Sequence, residues 1–160
     1  ADLSADAPHP DQTSAGPDAE LTMVPAGLRR WLGGEQVGVK VCGITREEDA
    51  WGAVQAGVDA LGFNFFPGSK RFVRLEAIAG WLGGLPPDVG RVAVVVRPEE
   101  SLLDDLGSCG HFHAVQFHGG EAAEFCARWG GAFFIKACPV SDEASAEAAV
   151  ADPCLLYTSD

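Results

Sequence analysis

From residue 37 onward the chain alternates two hydrophobic patterns. Short, almost unbroken apolar runs are separated by stretches in which apolar residues return every three or four positions. Unbroken short runs read as strands buried on both faces, and the three-four spacing reads as amphipathic helix. The pattern predicts strands over 37–42, 60–65, 91–96, 112–117 and 132–137, and the start of a sixth over 154–157. It predicts helices over 46–56, 75–82, 99–106, 121–129 and 142–150. Gly57 closes the first helix, and Gly83-Gly84 with Pro86-Pro87 closes the second. Repeats of roughly 20 to 28 residues suit βα units joined by short loops.

Apolar strands alternating with helices imply an α/β fold with a parallel sheet. Two architectures share that pattern, the doubly wound sheet and the (β/α)8 barrel. Polar residues fall at the C-terminal strand ends: Cys42, Asn64, Arg97, His118 and Lys136. Both architectures place their ligands at those ends. An eight-unit barrel takes about 200 residues or more, whereas this chain supplies about five and a half units in 160 residues. The chain is thus either a doubly wound sheet or part of a barrel, and as a barrel it would be a partial one.

Residues 1–22 carry Pro8, Pro10 and Pro17 among small and acidic residues, with almost no large apolar side chains. Such a segment has too little to bury to offset its ordering entropy. Residues 1–36 are accordingly expected to be a disordered or non-native extension, with a short helix possible over 28–32. Met23, the sole methionine, is the expected true start. The domain proper is expected over 37–153.

Composition narrows the function. At 47% hydrophobic the chain suffices for one core, and a net charge of −12 disfavours nucleic acid or an anionic membrane as partner. No apolar run reaches membrane-spanning length, and no secretory signal is visible. Five cysteines without CxxC spacing suggest neither a disulfide framework nor a metal site. Reduced thiols and a cytoplasmic setting follow as the expectation.

The densest chemistry lies in Lys40-Val41-Cys42-Gly43-Ile44-Thr45. Lys40 and Cys42 lie two apart, so in a strand they share a face. Gly43 permits a sharp turn, and Thr45 is placed to cap the following helix. A thiol at a strand tip, beside a lysine and a helix start, sits where a thiolate is stabilised.

Further segments accompany it: Ala60-Leu61-Gly62-Phe63-Asn64-Phe65, Gly68-Ser69-Lys70-Arg71-Phe72-Val73, Arg91 through Val96, Val115-Gln116-Phe117-His118-Gly119, and Phe134-Ile135-Lys136-Ala137. In this order and spacing the set resembles phosphoribosylanthranilate isomerase, a (β/α)8-barrel family of tryptophan biosynthesis. The resemblance implies an Amadori rearrangement of N-(5-phosphoribosyl)anthranilate to the carboxyphenylamino-deoxyribulose phosphate. It implies no metal or organic cofactor and a small-molecule substrate, and it leaves the oligomeric state open. By the same resemblance Cys42 is the general base. Arg71 binds the anthranilate carboxylate, as a guanidinium fork does well, and Gln116, His118 and Lys40 line the site.

One departure stands out. The family's general acid is an aspartate after a Leu-Leu pair at the end of the sixth strand, whereas Leu155-Leu156 here precedes Tyr157. Residues 154–160 resemble the translation of a sequencing adapter and are expected to be a non-biological tail. The family's phosphate site also has no counterpart in the sequence, so the 160 residues alone are expected to be inactive. Two other readings compete. One is a parent fused to another pathway enzyme; the other is a non-catalytic flavodoxin-like α/β module that binds a small ligand.

Overall fold

The structure is a computed structural model, and it describes residues 24–33, 37–129 and 134–151. Helix α1 (Ala26–Gly33) precedes five βα units. These are β1 (Lys40–Cys42) with α2 (Glu47–Gln55), β2 (Ala60–Asn64) with α3 (Leu75–Leu82), and β3 (Gly90–Val95) with α4 (Glu100–Cys109). β4 (Ala114–Phe117) with α5 (Ala123–Trp129) and β5 (Phe134–Lys136) with α6 (Glu143–Val150) complete the series. The expected disordered segment 1–22, the sixth strand and Tyr157 lie outside the described residues.

The five strands form one parallel sheet in the order β1-β2-β3-β4-β5. Sequential order excludes the flavodoxin-like module, whose strand order reverses inside the sheet. It is the order of a barrel. Curvature points the same way. Lys40 Nζ on β1 donates to Gln116 Oε1 on β4 at 2.6 Å. Adjacent strands lie about 4.8 Å apart, so side chains three strands apart meet only where the sheet bends toward them.

Alternation along the strands supplies two cores. Leu61, Phe63, Ala93, Val95 and Phe117 face outward and pack on Ile78 and Leu82 of α3, Leu103 and Leu106 of α4, and Cys126 of α5. Phe63 anchors this layer between Trp81 and Phe112, at ring-centroid separations of 5.9 and 5.8 Å. The inward residues Ala60, Val92, Val94 and Ala114 pack instead against Val24 and Leu28.

Leu28 is fully buried, which by transfer free energy is worth about 2 kcal/mol. The folded body thus begins before the boundary expected at residue 37, because α1 fills the concave side of the sheet. β1 also starts later than expected, since the Val39 N–H is taken by Asp59 Oδ2 at 2.8 Å. Thr45 does not cap α2. The cap position is Arg46, which has no side-chain cap bond, and its guanidinium reaches Asp49 at 2.8 and 3.0 Å.

The floor of the sheet holds an acid-sensitive contact. Buried Arg91, at the start of β3, donates through Nε to the His111 carbonyl at 2.6 Å. It presents an N–H to each ring nitrogen of His113, its backbone N at 3.1 Å from Nδ1 and Nη2 at 2.9 Å from Nε2. A neutral imidazole accepts one of these bonds and a protonated one accepts neither. Burial first, and the Arg91 charge second, lower the His113 pKa to about 4.

An unfolded histidine titrates near 6.5, so the unfolded state takes up the proton first as pH falls. Stability is full above about 6.5 and declines until the folded imidazole also protonates. We expect urea midpoints to fall between pH 7.5 and 5 in the native chain and to fall less in His113→Gln. Equal pH dependence in the two proteins would refute this account.

Candidate active site

The C-terminal strand ends gather at one rim, as parallel pairing requires. At β1, Gly43 turns the chain with φ +83°, a backbone conformation that favours glycine. The amides of Gly43 and Ile44 both donate to the Gly62 carbonyl, at 2.9 and 3.0 Å. These bonds fix the strand tip and leave Cys42 exposed on the concave side.

Gly62 is what admits the two reactive groups to this face. A Cβ there would lie 2.7 Å from Cys42 Sγ and 3.0 Å from Lys40 Cε. Thiol and lysine stem thus lie across the same bare stretch of β2, which a glycine within an apolar strand can signal. Lys40 runs over it to Gln116, and its ammonium lies 4.7 Å from the Trp31 ring centroid. Burial lowers the Lys40 pKa, while negative charge on Cys42 opposes the shift.

The loop after β2 returns to the strand tip. Val73 N donates to the Asn64 carbonyl at 2.9 Å, and Phe72 bridges Asn64. Ser69 Oγ accepts from the Arg71 amide at 3.1 Å. These contacts bring Arg71 beside Gly43, with Nη1 at 3.4 Å from its carbonyl oxygen. The guanidinium remains exposed at the rim.

Of the five residues expected at the site, Lys40, Cys42 and Gln116 thus share the concave face, and Arg71 stands over the tip of β1. His118 follows β4, its amide held by the Val95 carbonyl at 2.9 Å. Its exposed imidazole makes no hydrogen bond to the other four. A rim hollow lined by Phe65, Phe66, Val96, Arg97 and Leu102 contains none of the five.

Sequence reading missed Glu121, which it placed inside a helix. Its buried carboxylate accepts the Arg97 amide at 2.7 Å and the Gly119 amide at 2.9 Å. Its carbonyl accepts from Lys136 Nζ, so one residue ties together the loops after β3 and β4 and the end of β5. Arg97 is held there at φ 44°, the one non-glycine with positive φ among the described residues. No pattern of spacing marks such a clamp, because its partners are backbone amides.

The same region matches known proteins. A family model described as N-(5'phosphoribosyl)anthranilate (PRA) isomerase matches residues 39–155. The N-(5'-phosphoribosyl)anthranilate isomerase of Nitrosomonas europaea is 42% identical over 107 residues, covering 67% of this chain and 50% of the relative. That of Thermotoga maritima is 43% identical over 115 residues, covering 71% and 56%. The crystal structure of the phosphoribosyl anthranilate isomerase from Thermotoga maritima superposes with TM-score 0.68 at 42% identity, covering 72% of this chain and 57% of that one. A phosphoribosyl anthranilate isomerase solved with reduced 1-(o-carboxyphenylamino)-1-deoxyribulose 5-phosphate also gives 0.68, covering 72% and 60%. The chain spans about half the length of the curated relatives it matches.

Two substitutions test this geometry. Glu121→Ala leaves two amides without acceptors, and we expect a loss of about 2 kcal/mol in chemical denaturation, with faster hydrogen exchange at Arg97 and Gly119. Gly62→Ala forces Cys42 and Lys40 apart and costs about 1–3 kcal/mol. An unchanged denaturation midpoint would contradict the clamp in the first variant and the close approach at Gly62 in the second.

Proposed function

The chain belongs to the N-(5'-phosphoribosyl)anthranilate isomerase family, and from that premise we propose that it supplies the first half of an isomerase active site. The reaction is the Amadori rearrangement of N-(5-phosphoribosyl)anthranilate, an aldose-to-ketose isomerisation in tryptophan biosynthesis. In this reading the Cys42 thiolate takes the proton from C2′ of the opened sugar. The Lys40 ammonium stabilises that thiolate from the same strand face. Arg71 binds the anthranilate carboxylate with its fork of donors. Gln116 holds the Lys40 ammonium, and His118 contacts substrate from the end of β4.

The chemistry requires one proton acceptor and one proton donor. The donor and the phosphate site belong, in this proposal, to the half of the barrel that the longer relatives carry and the described residues do not. The proposed setting is the cytoplasm, where thiols such as Cys42 stay reduced. No helix of the described residues is long and apolar enough to cross a membrane.

What supports the reading is one juxtaposition. Cys42 and Lys40 share the concave face across Gly62, with Arg71 at the same strand tip. An exposed cysteine without a chemical role has no need of a lysine on its own strand face.

The test supplies the half of the barrel that the described residues do not contain. The chain fused to the C-terminal half of a homologous isomerase is expected to rescue a tryptophan auxotroph that lacks this enzyme. Cys42→Ala should abolish rescue, and full rescue by that variant would refute the base assignment. Arg71→Lys in the fusion should raise KM about tenfold or more with a smaller effect on kcat, the signature of lost ground-state binding.

A further inference from the structure

Helix α1 lies outside the segment that matches the family, which begins at residue 39, yet it is built into the floor of the barrel. Gly27 donates its amide to the Asp88 carbonyl at 2.8 Å. A Cβ at Gly27 would stand 2.1 Å from the Asp59 carbonyl oxygen and 2.6 Å from that of Asp88. A side chain is therefore impossible where the helix meets the strand starts. Gly38 meets the same limit from the returning chain, its Cβ position lying 2.3 Å from the Trp31 Cα.

Between these two close approaches Leu28 enters the interior. Ala60 and Gly90 are register partners, and a Cβ on Gly90 would lie 3.0 Å from the Leu28 Cβ and 3.1 Å from the Ala60 Cβ. The small pair leaves a hole that Leu28 fills completely. Arg30 Nε locks the helix to Asp59 Oδ1 at 2.7 Å, the carboxylate that also fixes the start of β1 through Val39. One turn inward, Trp31 presents its ring to the Lys40 ammonium.

We propose that α1 is a built-in floor of the active site and that Trp31 is a positioning residue, holding the Lys40 ammonium on the face it shares with Cys42. The proposal rests on Cys42 acting as the base. Its physical content lies in the nature of the partners that face Lys40. Trp31 from α1 offers a π face, Gln116 from β4 a neutral amide oxygen, and β2 only Ala60 and Gly62. Each holds or borders the cation without neutralising it. Cys42, along β1, is the one group among them that becomes negative, so the charge is left for the thiolate. An aspartate in place of Gln116 or Trp31 would satisfy the lysine and remove that effect.

The readout is the pH profile of Cys42 alkylation in the 160-residue chain, followed by mass spectrometry of the Cys42 peptide so that the other thiols do not interfere. Trp31→Leu keeps apolar bulk and removes the aromatic face. We expect it to move the alkylation midpoint upward by about half a pH unit. Trp31→Phe should restore the native midpoint. Lys40→Gln should move it at least as far, and adding Trp31→Leu to Lys40→Gln should add nothing. Leu28→Ala, which only empties the floor, should lower the denaturation midpoint and leave the Cys42 profile in place.

A native profile in folded Trp31→Leu would overturn the proposal, as would an equal shift in Leu28→Ala. The two readings fail separately. Rescue by Cys42→Ala in the fusion would sink the base assignment, whereas an unmoved profile in Trp31→Leu sinks the positioning role alone.

Discussion

Parallel strands cannot be joined by a tight turn, and this constraint governs the whole chain. Each strand must be followed by a crossing segment long enough to return to the starting edge. The helices α2 to α5 perform that return on one side of the sheet, where their apolar stripes meet Leu61, Phe63, Ala93, Val95 and Phe117. With all crossings on one face and strands added in order, every C-terminal strand end comes to one rim. The reactive residues are gathered there because the connections allow no other arrangement.

The concave face works under a different rule. Among the described residues no connection crosses it, so its chemistry depends on the residues that strands and α1 place there. Four positions on it carry little or no side chain: Ala60, Gly62, Gly90 and Ala114. At the lower level this smallness admits Leu28, and one level higher it admits Cys42 Sγ and the stem of Lys40. The same absence of bulk thus serves packing at the floor and chemistry above it. Lys40 joins the two levels, with Trp31 beneath its ammonium and Gln116 across from it.

Buried polar groups divide by location in the same way. Arg91, His111 and His113 knit the strand starts together at the floor, where a neutral imidazole suits the contact. Glu121 knits the loops at the rim, where its carboxylate satisfies two amides that would otherwise be stranded. Neither cluster carries out the proposed reaction. Each keeps one end of the barrel in shape around it.

Much of this was legible in the chain itself. Unbroken apolar runs and three-four periodicity located all five βα units, although of the strands only β2 and β3 are buried nearly throughout and β1 stands largely exposed. The pairing of Lys40 with Cys42 was legible too, since residues two apart in a strand must share a face. Local periodicity alone did not separate barrel from flavodoxin-like strand order, since both are written with the same pattern; the resemblance of the motifs to a barrel family pointed to the barrel. The tertiary structure shows that order directly, and only it revealed Glu121 as a clamp and α1 as a floor. The carboxylate of Glu121 binds backbone amides, and α1 is seated largely by backbone carbonyls and by space left where side chains are small, none of which a spacing pattern marks.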